Sequence, residues 1–260
     1  MTTAALPSVW AATATAWRDA FHALNSMRRL CITVLMILVI YGVVESLILM
    51  GSRYPMSFSD SFAELIRLAI FGILVAPFAI AVHRFVLLDE RAPRYRMDPT
   101  DRRFLRFALY GMLWAFIIGA PHVVGAAFAL VWSPLRLPID FILEIVVTIV
   151  TVRAVVLFPA VAVDATGPSW RDAAKDTKGH SWHVFFVLLI SVLPLIVVFN
   201  LLPSAFNLAW KVSPLAWVVL YGTSNAALGL VAIAVSAAAA SRLYRVLGRS
   251  PGPAEAAIVA

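Results

Sequence analysis

The chain has 260 residues, of which 62% are hydrophobic and 13% charged, whereas soluble domains are about half apolar and about a quarter charged. That composition excludes an ordinary water-soluble globule, and the single cysteine, Cys31, excludes a disulfide scaffold. The net charge of +7 is explained by basic loops held at an anionic membrane face rather than by nucleic-acid binding.

Residues 1–27 carry Arg18 but no compact charged-then-apolar leader with a small-residue cleavage site, which predicts an uncleaved N-terminus, and residues 1–30 are expected to form a cytoplasmic or interfacial amphipathic segment. Six apolar stretches follow, at 31–50, 65–85, 107–132, 139–157, 184–203 and 215–240. Each is near the length of about 20 residues that crosses a bilayer as a helix. Basic residues alternate between the intervening segments. Arg18, Arg28 and Arg29, then Arg84, Arg91, Arg94, Arg96, Arg102, Arg103 and Arg106, then Arg171, Lys175 and Lys178, and finally Arg242, Arg245 and Arg249 make sixteen on one side. The other side has three: Arg53, Arg136 and Lys211. Positive charge resists translocation, so the sixteen mark the cytoplasmic side. Rings agree with this. Tyr54, Trp132, Trp210 and Trp217 fall at the outer rim, and Trp17, Tyr110, Trp170, Trp182 and Tyr244 at the inner rim.

The pattern predicts an all-α membrane protein of six transmembrane helices arranged as three hairpins, with short interfacial amphipathic helices and with N and C termini cytoplasmic. Residues 31–247 form the membrane domain and 248–260 a flexible C-terminal tail. A weak internal repeat supports the hairpins. Trp17-Arg18-Asp19-Ala20 precedes the first span and Trp170-Arg171-Asp172-Ala173 the fifth, while Asp98 to Phe104 introduces the third. The even-numbered spans end alike, in Ala81-Val82-His83-Arg84, Val150-Thr151-Val152-Arg153 and Ala239-Ala240-Ser241-Arg242. Ser169 and Asp172 fit a capping box that starts a short surface helix at Trp170, with Gly179 at its C-terminal end.

Ionisable groups inside spans are costly, so each needs a partner or a water-filled cavity. Glu45, Arg67 and Glu144 fall at one depth on the first, second and fourth spans. They form either a clamp that fixes helix register or an outward polar pocket, unless Arg67 pairs with Glu64 one turn back on its own helix. Arg84, Arg153 and Arg242 share the inner ends of their helices and either snorkel to lipid phosphate or build a headgroup or anion site. His122 follows Pro121 mid-span and lies at a depth similar to Asn225, which makes a midplane polar pair. His83, His180 and His183 stand at the inner rim without the acidic or cysteine companions of a metal site, so no metal is expected. Pro77, Pro121, Pro159 and Pro194 interrupt the spans.

No phosphate loop, nucleophile elbow or metalloprotease motif is present. The expectation is therefore no catalytic residue and no cofactor. Asp89, Glu90, Asp98 and Asp101 interleave with the arginines of the 91–106 segment, which argues against nucleic acid.

The segment Arg153-Ala154-Val155-Val156-Leu157-Phe158-Pro159-Ala160-Val161-Ala162-Val163-Asp164, followed by Ser169-Trp170-Arg171-Asp172 and Gly179-His180-Ser181-Trp182, resembles a broad group of bacterial six-helix proteins. These are the YciC-like inner-membrane proteins and the membrane domain found beside some glycerophosphodiester phosphodiesterases. The resemblance covers about thirty residues. It implies a multi-pass location in the bacterial cytoplasmic (inner) membrane and brings no catalytic residue. The function expected is a subunit of a membrane assembly or a lipid-interacting scaffold, with membrane lipids and other membrane subunits as partners. A small permease or flippase-like transporter using Glu45, Arg67 and Glu144 is the alternative.

Overall fold

A computed structural model describes residues 6–51, 58–165, 168–206, 211 and 213–248. The segment holding Arg53, Tyr54 and Pro55, the rim residue Trp210, and residues 249–260 of the expected tail lie outside the described residues. Every element among the described residues is helical. In chain order these are α1 (Val9–Ser26), α2 (Arg28–Gly51), α3 (Phe58–Leu88), α4 (Arg102–Ala129), a 3₁₀ turn at Ser133–Leu135, α5 (Arg136–Ala154), α6 (Leu157–Ala162), α7 (Trp170–Asp176), α8 (Ser181–Ala205) and α9 (Pro214–Leu247).

Five helices are long and apolar enough to cross a membrane: α2, α3, α4, α8 and α9. The chain is a helical, multi-pass membrane protein. The fourth of the six expected spans, 139–157, coincides with α5, which has the length, at 19 residues, but carries Arg136, Asp140, Glu144 and Arg153 within it. Those charges keep it out of the apolar class.

Local chemistry sets the boundaries. Ser8, Asp101, Ser169 and Ser213 cap α1, α4, α7 and α9, each side chain accepting from a backbone amide two or three residues on. At α7 the amide of Asp172 donates to Ser169 at 3.2 Å, while the Ser169 hydroxyl donates to the Asp172 carboxylate at 2.5 Å. The reciprocal bond of the capping box is therefore made side chain to side chain. Asp89 and Asp164 adopt left-handed φ values of 54° and 55° just past α3 and α6, a conformation that aspartate tolerates better than most residues. No separate amphipathic helix introduces α4. There the chain makes a turn in which Asp98 accepts from the Thr100 hydroxyl at 2.5 Å and amide at 2.9 Å. These bonds, with Arg96 adjacent, hold the Asp98 carboxyl below its ordinary range. The turn's support is thus complete above the usual carboxylate pKa and fades as pH falls through the depressed one.

α9 is the hub, with α2, α1, α8, α3 and α6 all packed on it. Small side chains make this possible, because lipid tails are as apolar as leucine and close backbone approach supplies the attraction between helices. α9 buries Ala234, Ala237, Ala238, Ala239, Ala240 and Ser241, and α1 offers it Ala12, Ala16, Ala20 and Ala23, spaced at helical intervals. α1 is therefore docked across the bundle rather than lying free in the interface. Trp17 fixes it further by donating from Nε1 to the Ser191 carbonyl of α8 at 3.1 Å. α2 meets α9 backbone to backbone. A Cβ placed on Gly42 would stand 2.8 Å from the Gly222 carbonyl oxygen. In sequence α2 and α3 are neighbours, yet α2 packs far more on α9 than on α3. The first pair is thus not a self-contained hairpin.

α3 has 31 residues and α9 has 34, which at about 1.5 Å per residue makes rods of about 46 and 51 Å, longer than the roughly 30 Å hydrocarbon core. Against the expected span 215–240, the surplus of α9 stands at the arginine-rich end, where other segments pack on it. α6 is wedged between α3, α4 and α9 with Leu157, Pro159, Ala160, Val161 and Ala162 buried. Tyr95, from the segment after α3, folds back to donate to the Leu74 carbonyl at 2.8 Å, and burial raises its phenol pKa. An aromatic chain from Phe107 through Phe158 and Trp114 to Trp170, with centroids 5.3 to 6.0 Å apart, ties α7 to α4 and α6. Trp17 and Trp170, equivalent in the repeat, are both packing anchors.

Candidate functional site

Two polar layers stand out. In the layer away from the arginine-rich end, Arg67 of α3 takes Glu64 in a two-pronged contact, with Nε donating at 3.0 Å and Nη2 also in contact. Its Nε lies 3.8 Å from Glu45 of α2. Tyr41, one turn before Glu45, donates to the Arg67 carbonyl at 2.9 Å. One cation thus faces two carboxylates, and its own side chain is 15% exposed. The local partner Glu64 and the cross-helix partner Glu45 both hold it. Arg67→Met leaves both acids without their cation and is expected to lower stability by about 1–3 kcal/mol. Denaturant unfolding of purified protein in detergent measures it, and Glu64→Gln, which keeps Glu45 in place, should cost less.

Glu144 does not join this group. It lies exposed on α5, and α5 packs on α4, α7 and α8, away from α2. The expected triad divides into a bound pair and a lone acid, because depth read from sequence says nothing about which faces meet.

His122 and Asn225 are likewise separate. His122 is exposed on α4, whose neighbours are α3, α5 and α6, whereas Asn225 belongs to α9 and its buried Oδ1 has no hydrogen-bond partner. The direction of His122 follows from its flanking glycines. A Cβ on Gly119 would touch Leu65 of α3 at 3.3 Å, and one on Gly125 would overlap the Asp140 carboxylate of α5 at 1.7 Å. At about 100° per residue, His122 lies about 60° from each of those directions. It therefore points into the angle between α3 and α5. Because α4 and α5 are joined by a short turn and run antiparallel, Glu144, one turn past Asp140, comes level with His122. Ser61, one turn before Leu65 and 2% exposed, reaches the same level with an unpartnered Oγ.

In the second layer, at the arginine-rich end, Arg84 donates to Glu90 at 2.7 Å and to the Ala162 carbonyl at 3.1 Å. Asp164, 4.0 Å from Arg84, accepts from Arg103 at 2.8 Å. Arg242 donates to Asp19 of α1 at 2.5 Å. Arg153 is half-buried, and its backbone carbonyl accepts from Thr177 at 3.2 Å. Arg84 and Arg242 are thus committed to carboxylates of their own chain and do not form a ring of three free cations with Arg153.

Two features escaped the sequence reading. Asp140 fills the notch left by Gly125, with Oδ1 buried and unpartnered and Oδ2 3.7 Å from Arg136. The signal was a second acid one turn before Glu144, opposite a glycine-rich stretch. The other is His83, 3% exposed, whose Nδ1 lies 2.8 Å from the Ser241 hydroxyl. His83 and Ser241 occupy equivalent places in the repeated helix ends, a likeness that by itself predicts no contact. No group of three or more metal-ligating side chains occurs among the described residues. Compared with known proteins, the chain matches no family model, no curated protein and no solved structure.

Proposed function

We propose that this chain acts by binding rather than by catalysis, as a subunit of a membrane assembly or a lipid-interacting scaffold of the bacterial inner membrane. In this reading α5 is the sixth span and the arginine-rich end faces the cytoplasm. One observation carries it: Glu144 is exposed among Phe141, Ile145 and Ile149, which are 65%, 47% and 57% exposed. A carboxylate facing lipid costs about 2.5–3.5 kcal/mol at mid-membrane. A hydrogen-bond donor from a neighbouring chain removes that cost, and the apolar residues around it supply the packing surface. Glu144→Leu separates the possibilities. The assembly isolated in mild detergent is expected to lose mass on native gels, whereas an unchanged mass together with a higher melting temperature sinks the proposal.

A small permease is the second reading, favoured by the level shared by Ser61, His122 and Glu144 between α3 and α5. Cysteine placed at 122 or 144 on a Cys31→Ser background reports on it. Rapid reaction with a membrane-impermeant thiol reagent supports a watery crevice and the permease. Protection supports a partner seated on α5.

A further inference from the structure

At the arginine-rich end the fold sorts the cations into two kinds. Arg84, Arg96, Arg103 and Arg242 are bound to Glu90, Asp98, Asp164 and Asp19. Asp101 is taken as well, since it caps α4 by accepting from the Arg103 amide at 2.9 Å. Arg91, Arg94, Arg102 and Arg106 are exposed and meet no carboxylate among the described residues. Asp89, also exposed, sets one negative charge against these four. Glu90, Asp98 and Asp101, which dilute the basic segment in the sequence, are thus engaged in internal bonds.

Two of the free arginines head an apolar stripe. Arg102, Leu105, Arg106, Leu109, Leu113 and Phe116 follow one another at helical spacing along a single face of α4, and the four apolar members are 43–53% exposed. From Arg102 to Phe116 is about 21 Å at a rise of about 1.5 Å per residue, close to one leaflet of a bilayer about 40–45 Å thick with its headgroups. The other two free arginines belong to the strap between α3 and α4, where Tyr95 is pinned to the Leu74 carbonyl at 2.8 Å. Gly72 of α3 faces Gly111 of α4, and the two helices run antiparallel, so Leu74 stands near the level of Leu109. The strap therefore folds back along the bundle, which keeps Arg94, beside Tyr95, close to the arginines of α4.

We infer that this stripe and strap hold an anionic phospholipid, its phosphate among Arg94, Arg102 and Arg106, with Arg91 adding charge, and one acyl chain along Leu105 to Phe116. The inference rests on the lipid-interacting form of the reading above and names the lipid class and its place. The site is an open face, so no cavity volume limits its occupant. Phosphate gives the arginines charge-assisted hydrogen bonds, and each arginine at an anionic surface is worth about fivefold in affinity. A zwitterionic lipid brings a choline cation among four arginines. Nucleic acid would engage the arginines but leave the exposed leucines unanswered, and a partner helix would have to supply an acid for each cation.

The test places a photoreactive benzophenone side chain at Leu109 of the full chain, reconstituted in vesicles of equal phosphatidylglycerol and phosphatidylcholine. After irradiation, lipid adducts are counted by mass spectrometry. Phosphatidylglycerol adducts are expected to exceed phosphatidylcholine adducts at least fivefold at position 109, and to be about equal at Val198, an exposed residue of α8. The pairs Arg102→Gln/Arg106→Gln and Arg91→Gln/Arg94→Gln should each lower the preference at least threefold. Arg102→Lys/Arg106→Lys, which keeps the charge, should retain most of it and shows that the site still folds. Arg171→Gln/Lys178→Gln removes the same charge from exposed positions around α7 and should leave it unchanged. A preference that survives both strap and stripe variants, or falls as far in the α7 control, overturns the assignment while the lipid reading stands. Equal adducts of both lipids at every labelled position overturn that reading too. Adducts to another protein chain at 109 in place of lipid overturn the assignment in favour of a partner subunit.

Discussion

Gly42→Leu is expected to destabilise the bundle more than any other single substitution considered for this chain, with Gly222→Leu nearly as severe. A Cβ at 42 stands 2.8 Å from the Gly222 carbonyl, and one at 222 stands 2.9 Å from the carbonyl carbon of Gly42. The obstacle is backbone on both sides, so no side chain can swing away. α2 and α9 must separate along the whole seam that also buries Leu38, Ser46, Val218 and Ala226. Overpacking of this kind costs about 1–3 kcal/mol and sometimes more, and here it acts on the hub helix. Denaturant unfolding in detergent should show an early midpoint or no folded baseline. Gly111→Ala provides the contrast, because nothing lies within 4 Å of a Cβ there. It should leave the midpoint unchanged or raise it, by up to about 0.5–1 kcal/mol for a helix-interior glycine. Equal losses at 42 and 111 would show that the crossing is not set by glycine.

After the two seam glycines, Ser241→Ala should have the next-largest effect. Its hydroxyl lies 2.8 Å from His83 Nδ1, and serine and histidine are 0% and 3% exposed. Without the serine, one nitrogen is buried unpaired, at a cost of about 1–3 kcal/mol. Water cannot easily reach it, because Phe107 lies over the ring at 5.8 Å. The double variant with His83→Leu removes both partners and should recover part of the loss, since an apolar pair leaves nothing unsatisfied. A thermodynamic cycle over the two sites measures the coupling. Additive losses would mean that the pair contributes nothing beyond its two separate volumes.

Both sites show where sequence reasoning succeeds and where it stops. The helix ends in His83-Arg84 and Ser241-Arg242 were aligned from sequence, but only the folded bundle brings His83 onto Ser241. The same alignment grouped Arg84 with Arg153 and Arg242 as arginines that snorkel to lipid phosphate or build a headgroup or anion site. It could not do otherwise, because Asp19, Glu90 and Asp164, which hold two of the three, lie on segments with no fixed spacing from them. Depth along a span follows from residue count, so Glu45, Arg67 and Glu144 could be placed at one level. Rotation about each helix axis then put Glu45 beside Arg67 and turned Glu144 outward.

By itself, the sequence determined the solvent and the elements. A 62% hydrophobic chain with long apolar runs must form helices surrounded by hydrocarbon, since only internal hydrogen bonding satisfies a backbone there. Ser169 was legible as a start because capping is local chemistry. Tertiary structure alone decided which helix touches which: the α2 and α9 crossing, α1 drawn onto the hub, α6 driven between three helices as a wedge. In a membrane no gradient of hydrophobicity tells one helix face from another. The choice falls to shape, to a glycine opposite a glycine or an aspartate opposite the notch at Gly125, and such fits exist only once two helices are side by side.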